Sequence, residues 1–178
     1  KTLTLHAGST ISGQGLWQLE SADLVLGSDL PTAFPLSLDG GCRVFGPGRL
    51  VLHDAQSIAG EFRTPVELAA GATISLFNST YHSGLVIQPG ATATLPRFHT
   101  VTLNGASTNR GTLRLGSRND GGQLNGSGRL ENEGLVDIFV TDPVSSGSEA
   151  TFNLPVRVAT TGRLLVEDRK STRLNSSH

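Results

Sequence analysis

Three times the chain carries a glycine couplet followed by a proline-led alternating strand, and this recurrence constrains the fold more than any other feature. The couplets are Gly13-Gln14-Gly15-Leu16, Gly46-Pro47-Gly48-Arg49-Leu50 and Gly126-Ser127-Gly128-Arg129-Leu130. The strands are Pro35-Leu36-Ser37-Leu38, Pro65-Val66-Glu67-Leu68 and Pro155-Val156-Arg157-Val158. Each has a phenylalanine before it (Phe34, Phe62, Phe152) and a glycine after it (Gly41, Gly71, Gly162). Degenerate self-similarity of this kind marks a repeat architecture, in which a unit buries its apolar face only by stacking on its neighbours.

The rest of the chain has the same texture. Runs such as Leu24-Val25-Leu26, Thr73-Ile74-Ser75-Leu76 and Leu85-Val86-Ile87 alternate at period two, which predicts short, half-buried strands. Gly and Pro interrupt every stretch that could carry a helical period, and 22 of 178 residues are Gly. Glycines that open a strand fall at Gly71, Gly90, Gly111 and Gly134, about twenty residues apart, before a wider step to Gly162. Two of them sit in a tighter signature, Asn109-Arg110-Gly111-Thr112-Leu113-Arg114-Leu115 and Asn132-Glu133-Gly134-Leu135-Val136-Asp137-Ile138. Here Asn109 and Asn132 are expected to hold left-handed corners, with Gly at the next bend. Two or three short strands per period of about twenty predict an all-β parallel β-solenoid, its turns stacked at ~4.8 Å. The alternative is a β-sandwich, whose strands recur every 8–12 residues but have no reason to repeat in sequence.

The Asn-x-Gly and Gly-x-Gly-x-Leu runs resemble the degenerate coils of right-handed, single-stranded parallel β-helix proteins of pectin-lyase-like architecture. Autotransporter passenger regions and filamentous haemagglutinin-like adhesins are examples. The resemblance covers residues 1–167. It implies a secreted or cell-surface β-helix segment, with glycans or host and cell-surface proteins as partners beside the neighbouring coils of the same chain.

Residues 168–178, Asp168-Arg169-Lys170-Ser171-Thr172-Arg173-Leu174-Asn175-Ser176-Ser177-His178, resemble the in-frame translation of a sequencing adapter. They are expected to be a disordered, non-native tail and are set aside from fold arguments. The chain starts at Lys1, already alternating through Thr2-Leu3-Thr4-Leu5, and contains no Met, as expected of an internal fragment. Without the tail, 11 basic residues face 14 acidic ones, too mild a balance to imply nucleic acid as a partner. No membrane span is evident in residues 1–167, and one cysteine, Cys42, cannot form an internal disulfide.

A β-helix can also carry a polysaccharide lyase or hydrolase, which is the alternative function. Glycoside hydrolysis needs two carboxylates about 5–9.5 Å apart. The Asp-Asp, Asn-Thr-Asp, Gly-His-Gly and Arg-Ile-Lys runs that the pectin-hydrolysing members imply are missing. The nearest carboxylate pair, Glu131 and Glu133, reads as solvated corner charge. Arg114, Arg129, Arg157 and Arg163 fall in the outward phase of alternating runs, where they could form an external ladder. His6, His53, His82 and His99 lack metal-ligand spacing. Neither catalytic residues, metal nor cofactor are therefore expected. Asn78-Ser79-Thr80 and Asn125-Gly126-Ser127 fit the N-glycosylation pattern at Asn78 and Asn125. The reading that emerges is a non-catalytic structural or adhesive solenoid segment.

Overall fold

The computed structural model describes residues 1–11, 13, 15–32, 34–53, 55–96, 98–116, 122–140 and 150–168. They form a parallel β-solenoid of about six turns with no helix, and the sandwich alternative is overturned because every strand pair is parallel. Three columns of strands build it. Column one holds β2 (Trp17–Leu19), β5 (Leu36–Leu38), β8 (Ala55–Phe62), β10 (Thr73–Tyr81), β12 (Thr92–Leu95), β15 (Thr112–Leu115), β18 (Leu135–Val140) and β21 (Arg163–Asp168). Column two holds β1 (Thr2–Leu5), β3 (Asp23–Leu26), β6 (Arg43–Phe45), the second halves of β8 and β10, β13 (Thr100–Leu103), β16 (Gln123–Asn125) and β19 (Thr151–Asn153). Column three holds β4 (Leu30–Thr32), β7 (Leu50–Leu52), β9 (Val66–Leu68), β11 (Leu85–Ile87), β14 (Ser107–Asn109), β17 (Leu130–Asn132) and β20 (Val156–Val158).

The recurring couplet and proline-led strand turn out to be partners. Trp17 pairs with Leu36, Leu50 with Val66 and Leu130 with Val156, each across one coil boundary. In all three cases the first strand residue after the couplet donates its N–H to the proline carbonyl, of Pro35, Pro65 and Pro155, at 2.9, 3.0 and 2.9 Å. Proline lacks an amide to donate, so the start of a strand is where it costs the ladder least. The phase is not uniform: the first pair lies in column one, the other two in column three.

Alternation places every second residue of a strand inside, and the parallel register stacks inside residues into rows. Leu38, Ile58, Leu76, Leu95 and Leu115 form one such row, all without solvent exposure. Burying each contributes roughly 1.5–3 kcal/mol. In column two Phe62 and Tyr81 sit in register, and their rings stack at 4.8 Å with an interplanar angle of 8°. That spacing is the coil rise itself. Burial pushes the Tyr81 hydroxyl well above its ordinary pKa. Cys42 also faces inward, its thiol donating to the Leu19 carbonyl at 3.0 Å.

The glycines divide into two physical kinds. Gly71 and Gly90 have φ of +81° and +80°. Gly90 is the third residue of the turn Gln88-Pro89-Gly90-Ala91, closed by Ala91 N–H donating to the Gln88 carbonyl at 3.0 Å. Proline before a positive-φ glycine is the type II arrangement. Gly48, Gly111, Gly128, Gly134 and Gly162 have no such φ; any side chain there would strike the backbone of the preceding coil. Gly46 and Gly126 combine both constraints, and Gly13 lies in an open position with φ +158°. Gly15 has neither a positive φ nor a close neighbour. Gly71, Gly90, Gly111, Gly134 and Gly162 all mark one corner, between columns three and one.

At this corner one expectation fails. Asn109 and Asn132 do not have positive φ; they are the last residues of β14 and β17, fully buried and paired in register. The corner before Thr73 and the corner before Thr92 each take a four-residue turn, whereas Asn109 reaches Thr112 through Arg110 and Gly111 alone. The Asn side chains secure this shortened corner. Asn109 Nδ2 donates to Asn132 Oδ1 at 2.8 Å and to the Leu135 carbonyl at 2.9 Å, while Asn132 Nδ2 donates to the Arg163 carbonyl at 2.9 Å. An asparagine ladder replaces the aliphatic row of Leu52, Leu68 and Ile87.

These contacts predict a sharp contrast between glycines. Gly134→Ala drives a methyl group into the Gly111 carbonyl and should cost about 3 kcal/mol, the scale of overpacking. Gly40→Ala has open space and should be neutral or slightly stabilising. Urea unfolding followed by circular dichroism measures both; equal effects would contradict the close-approach account.

Candidate functional site

Outward rows carry the ionic chemistry. In column two Asp23, Arg43 and Glu61 stack in sequence, and Arg43 grips Asp23 with two hydrogen bonds of 2.7 and 2.8 Å. Glu61 also holds Arg63 at 2.8 Å and lies 3.1 Å from His82 Nε2. On the column-three side Arg49 bridges two carboxylates: its Nη2 reaches Asp29 at 2.8 Å and its Nη1 reaches Glu67 at 2.6 Å. Arg110 meets Glu133 at 3.0 Å, Arg114 meets Asp137 at 3.2 Å, and Arg157 meets Glu131 at 3.1 Å. Most of these pairs join one coil to the next.

The sequence-derived candidates are thereby dispersed. Glu131 and Glu133 engage different arginines, Arg157 and Arg110, and form no joint carboxylate site. Arg114 and Arg157 stack on Asp137 and Glu131, so arginine alternates with acid in place of an arginine-only ladder. Asn78 is exposed with φ +24°, and its Oδ1 accepts the Thr100 N–H at 3.1 Å. Asn125 is half-buried in β16, between Thr102 and Asn153. Phe77 and His99 meet edge to face at 4.7 Å. Among the described residues no three His, Cys, Asp or Glu side chains converge as a metal site, and no helix is long and apolar enough to cross a membrane. Residues 169–178 of the adapter-like tail lie outside the described residues, while Asp168 ends β21.

One concave feature was not legible in the sequence. A cleft of about 550 Å³ opens near the N-terminal end of column three, lined by Ser9, Thr10, Ile11, Asp29, Leu30 and His53 among others. Its floor is β4 and its wall is the segment after the first turn, where the opening coil has no column-three strand. The Arg49 side chain and backbone amide hold the Asp29 carboxyl below its ordinary value of 3.8. Asp29 is therefore a fixed acceptor, suited to ligand hydroxyls and unsuited to donating a proton as a general acid. Nothing but spacing could have announced this cleft, since its residues come from three separate coils.

Coil length varies along the chain. Arg43 to its stacked partner Glu61 spans 18 residues, whereas Asn125 to Asn153 spans 28. Between columns one and two the strand spacing differs: β8 and β10 pass from one column to the other within a single strand, β15 ends at Leu115 with β16 beginning at Gln123, and β18 ends at Val140 with β19 beginning at Thr151.

No protein-family model, curated protein or solved structure matches this chain.

Two outcomes follow from the ionic rows. Asp137 has a side chain only 7 % exposed, so Arg114→Ala leaves a buried carboxylate without that partner and should cost about 2 kcal/mol. Adding Asp137→Asn to that variant should recover most of the loss in urea unfolding; an additive further loss would contradict this account. Asp29, Asp39 and Glu61 all have folded-state pKa values depressed below their unfolded ones, by Arg49, by the Ser21 amide and by Arg63 respectively. Their contribution is complete above about pH 4.5 and drains away as pH falls through the folded values. Melting temperature should therefore decline below that pH, and Asp29→Asn together with Asp39→Asn should flatten the decline.

Proposed function

We propose that this chain is a non-catalytic scaffold segment of a secreted or cell-surface β-helix protein, with an adhesive role toward glycans or cell-surface proteins. The observation that carries the reading is the use made of charge. The pairs Asp23–Arg43, Asp29–Arg49–Glu67, Arg110–Glu133, Arg114–Asp137 and Glu131–Arg157 tie coil to coil along the outside of the stack. A carboxylate fixed by arginine is a poor proton donor, and an arginine so engaged is a poor free cation for a lyase. A continuous core with cross-braced rows suits an extended rod. The resemblance to autotransporter and haemagglutinin-like coils supports the same reading.

A second reading draws on the cleft. Asp29, His53 and the Ser9 and Thr10 hydroxyls beside an apolar floor could seat a sugar, as in a carbohydrate-active β-helix whose catalytic coils are of another type. One experiment separates the two. Purified protein is incubated with pectin, alginate and related glycans, and both retention and product release are measured. Retention without new reducing or unsaturated ends is the expected outcome; robust turnover would replace the scaffold reading with the enzymatic one.

A further inference from the structure

On the column-two face, one recess has hydrogen-bond donors that the coil-to-coil pairing leaves over. It has a volume of about 180 Å³ and is lined by Arg43, Phe45 and Arg63. Arg43 and Phe45 share the outward phase of β6, which pairs with β3 on one side and β8 on the other, so coils flank the recess on both sides. Arg63 follows β8, and its N–H donates to the Val44 carbonyl at 2.8 Å, which sets it beside Phe45. Both guanidinium side chains reach into water, 57 % and 64 % exposed, while Phe45 is half-buried.

A guanidinium carries five N–H donors in a fixed fork. Arg43 spends Nε and Nη2 on Asp23 and keeps Nη1. Arg63 spends only Nε, on Glu61, and its Nη1 and Nη2 have no protein acceptor among the described residues. Two cations around a small apolar floor suit an anionic group carried on a ring with an apolar face, because guanidinium bonds to oxyanions are strong and directed. We propose that this recess binds one sulfated sugar unit of a glycan, with the sulfate ester on the Arg43 and Arg63 donors and the C–H face of the sugar on Phe45. The three terminal oxygens of a sulfate ester can accept from both arginines, whereas the two of a carboxylate are satisfied by one fork. Asp23 and Glu61 stand beside the arginines, so a monoanionic sulfate meets less repulsion than a dianionic phosphate. A peptide is the poorer fit: extended peptides bind by main-chain pairing at a sheet edge, and β6 has no free edge. Glu61, held by Arg63 and 3.1 Å from His82 Nε2, is not a free base, so the sugar is bound and not cleaved. The assignment rests on the adhesive reading toward glycans and names the sugar chemistry that such a surface recognises.

The test is a titration of the full chain with glucose 6-sulfate, glucuronate and glucose, followed by NMR at the arginine Nε–H and Phe45 ring signals. Glucose 6-sulfate should shift the Arg43, Arg63 and Phe45 signals together and saturably, glucuronate should bind several-fold more weakly, and glucose should shift none of them. Arg63→Gln should weaken sulfate binding about tenfold, the loss of one charge-assisted pair of bonds. Its circular dichroism should be unchanged, because Arg63 is exposed and Glu61 retains His82. Arg110→Gln removes the same charge from a pair outside the recess and should leave the affinity as it was. No shift at Arg63 and Phe45, glucuronate bound as tightly as the sulfate, or an equal loss in Arg110→Gln would each overturn the proposal. Glycan retention in the assay above with no response here would remove this site and leave the adhesive reading standing.

Discussion

Each coil lies directly above the previous one because parallel strands hydrogen-bond in register, and the rest of the molecule is a consequence of that stacking. Residues of the same phase are brought to the inter-strand distance, so one side chain's chemistry must be compatible with the same position a coil away. Aliphatic residues satisfy this by filling a shared core. Phe62 and Tyr81 satisfy it by stacking, and Asn109 and Asn132 by donating and accepting along a row. Charges satisfy it only by alternating in sign, which is why Arg43 lies between Asp23 and Glu61 and why Arg114 meets Asp137.

The same closeness explains the glycines. Where one corner lies on another with no room for Cβ, glycine is demanded by contact rather than by dihedral angle, as at Gly111 and Gly134. Where the corner is a full turn, as at Gly90, the demand is for positive φ. At the corners before Thr112 and Leu135 the asparagine ladder bonds its amides to the next coil, to the Leu135 and Arg163 carbonyls.

Much of this was legible from residue spacing. The period of the glycines, the alternating triplets and the couplet-and-proline recurrence all pointed to a parallel solenoid, because each is a local consequence of turning a corner and filling a core. The role of Asn109 and Asn132 was misread, because a left-handed corner and a buried ladder use the same residue beside the same glycine. The separation of Glu131 from Glu133 by their arginines was hidden as well, since Arg110 and Arg157 are more than twenty residues distant from their partners. The cleft at Asp29 and His53 depends on three coils converging, and no local pattern records that.

The architecture is written in local pattern: short strands, tight corners and an apolar inside face leave a stacked parallel coil as the arrangement that satisfies all three. Which residue sits above which is settled by the folded stack. Coil lengths from 16 to 28 residues shift the register by amounts that periodicity cannot resolve. That register turned a repeated phrase into a paired contact, Trp17 with Leu36 and Leu130 with Val156, and matched each charge to its counter-charge. The physical reason is that strand formation is a local preference, whereas stacking is a relation between residues separated by a whole turn.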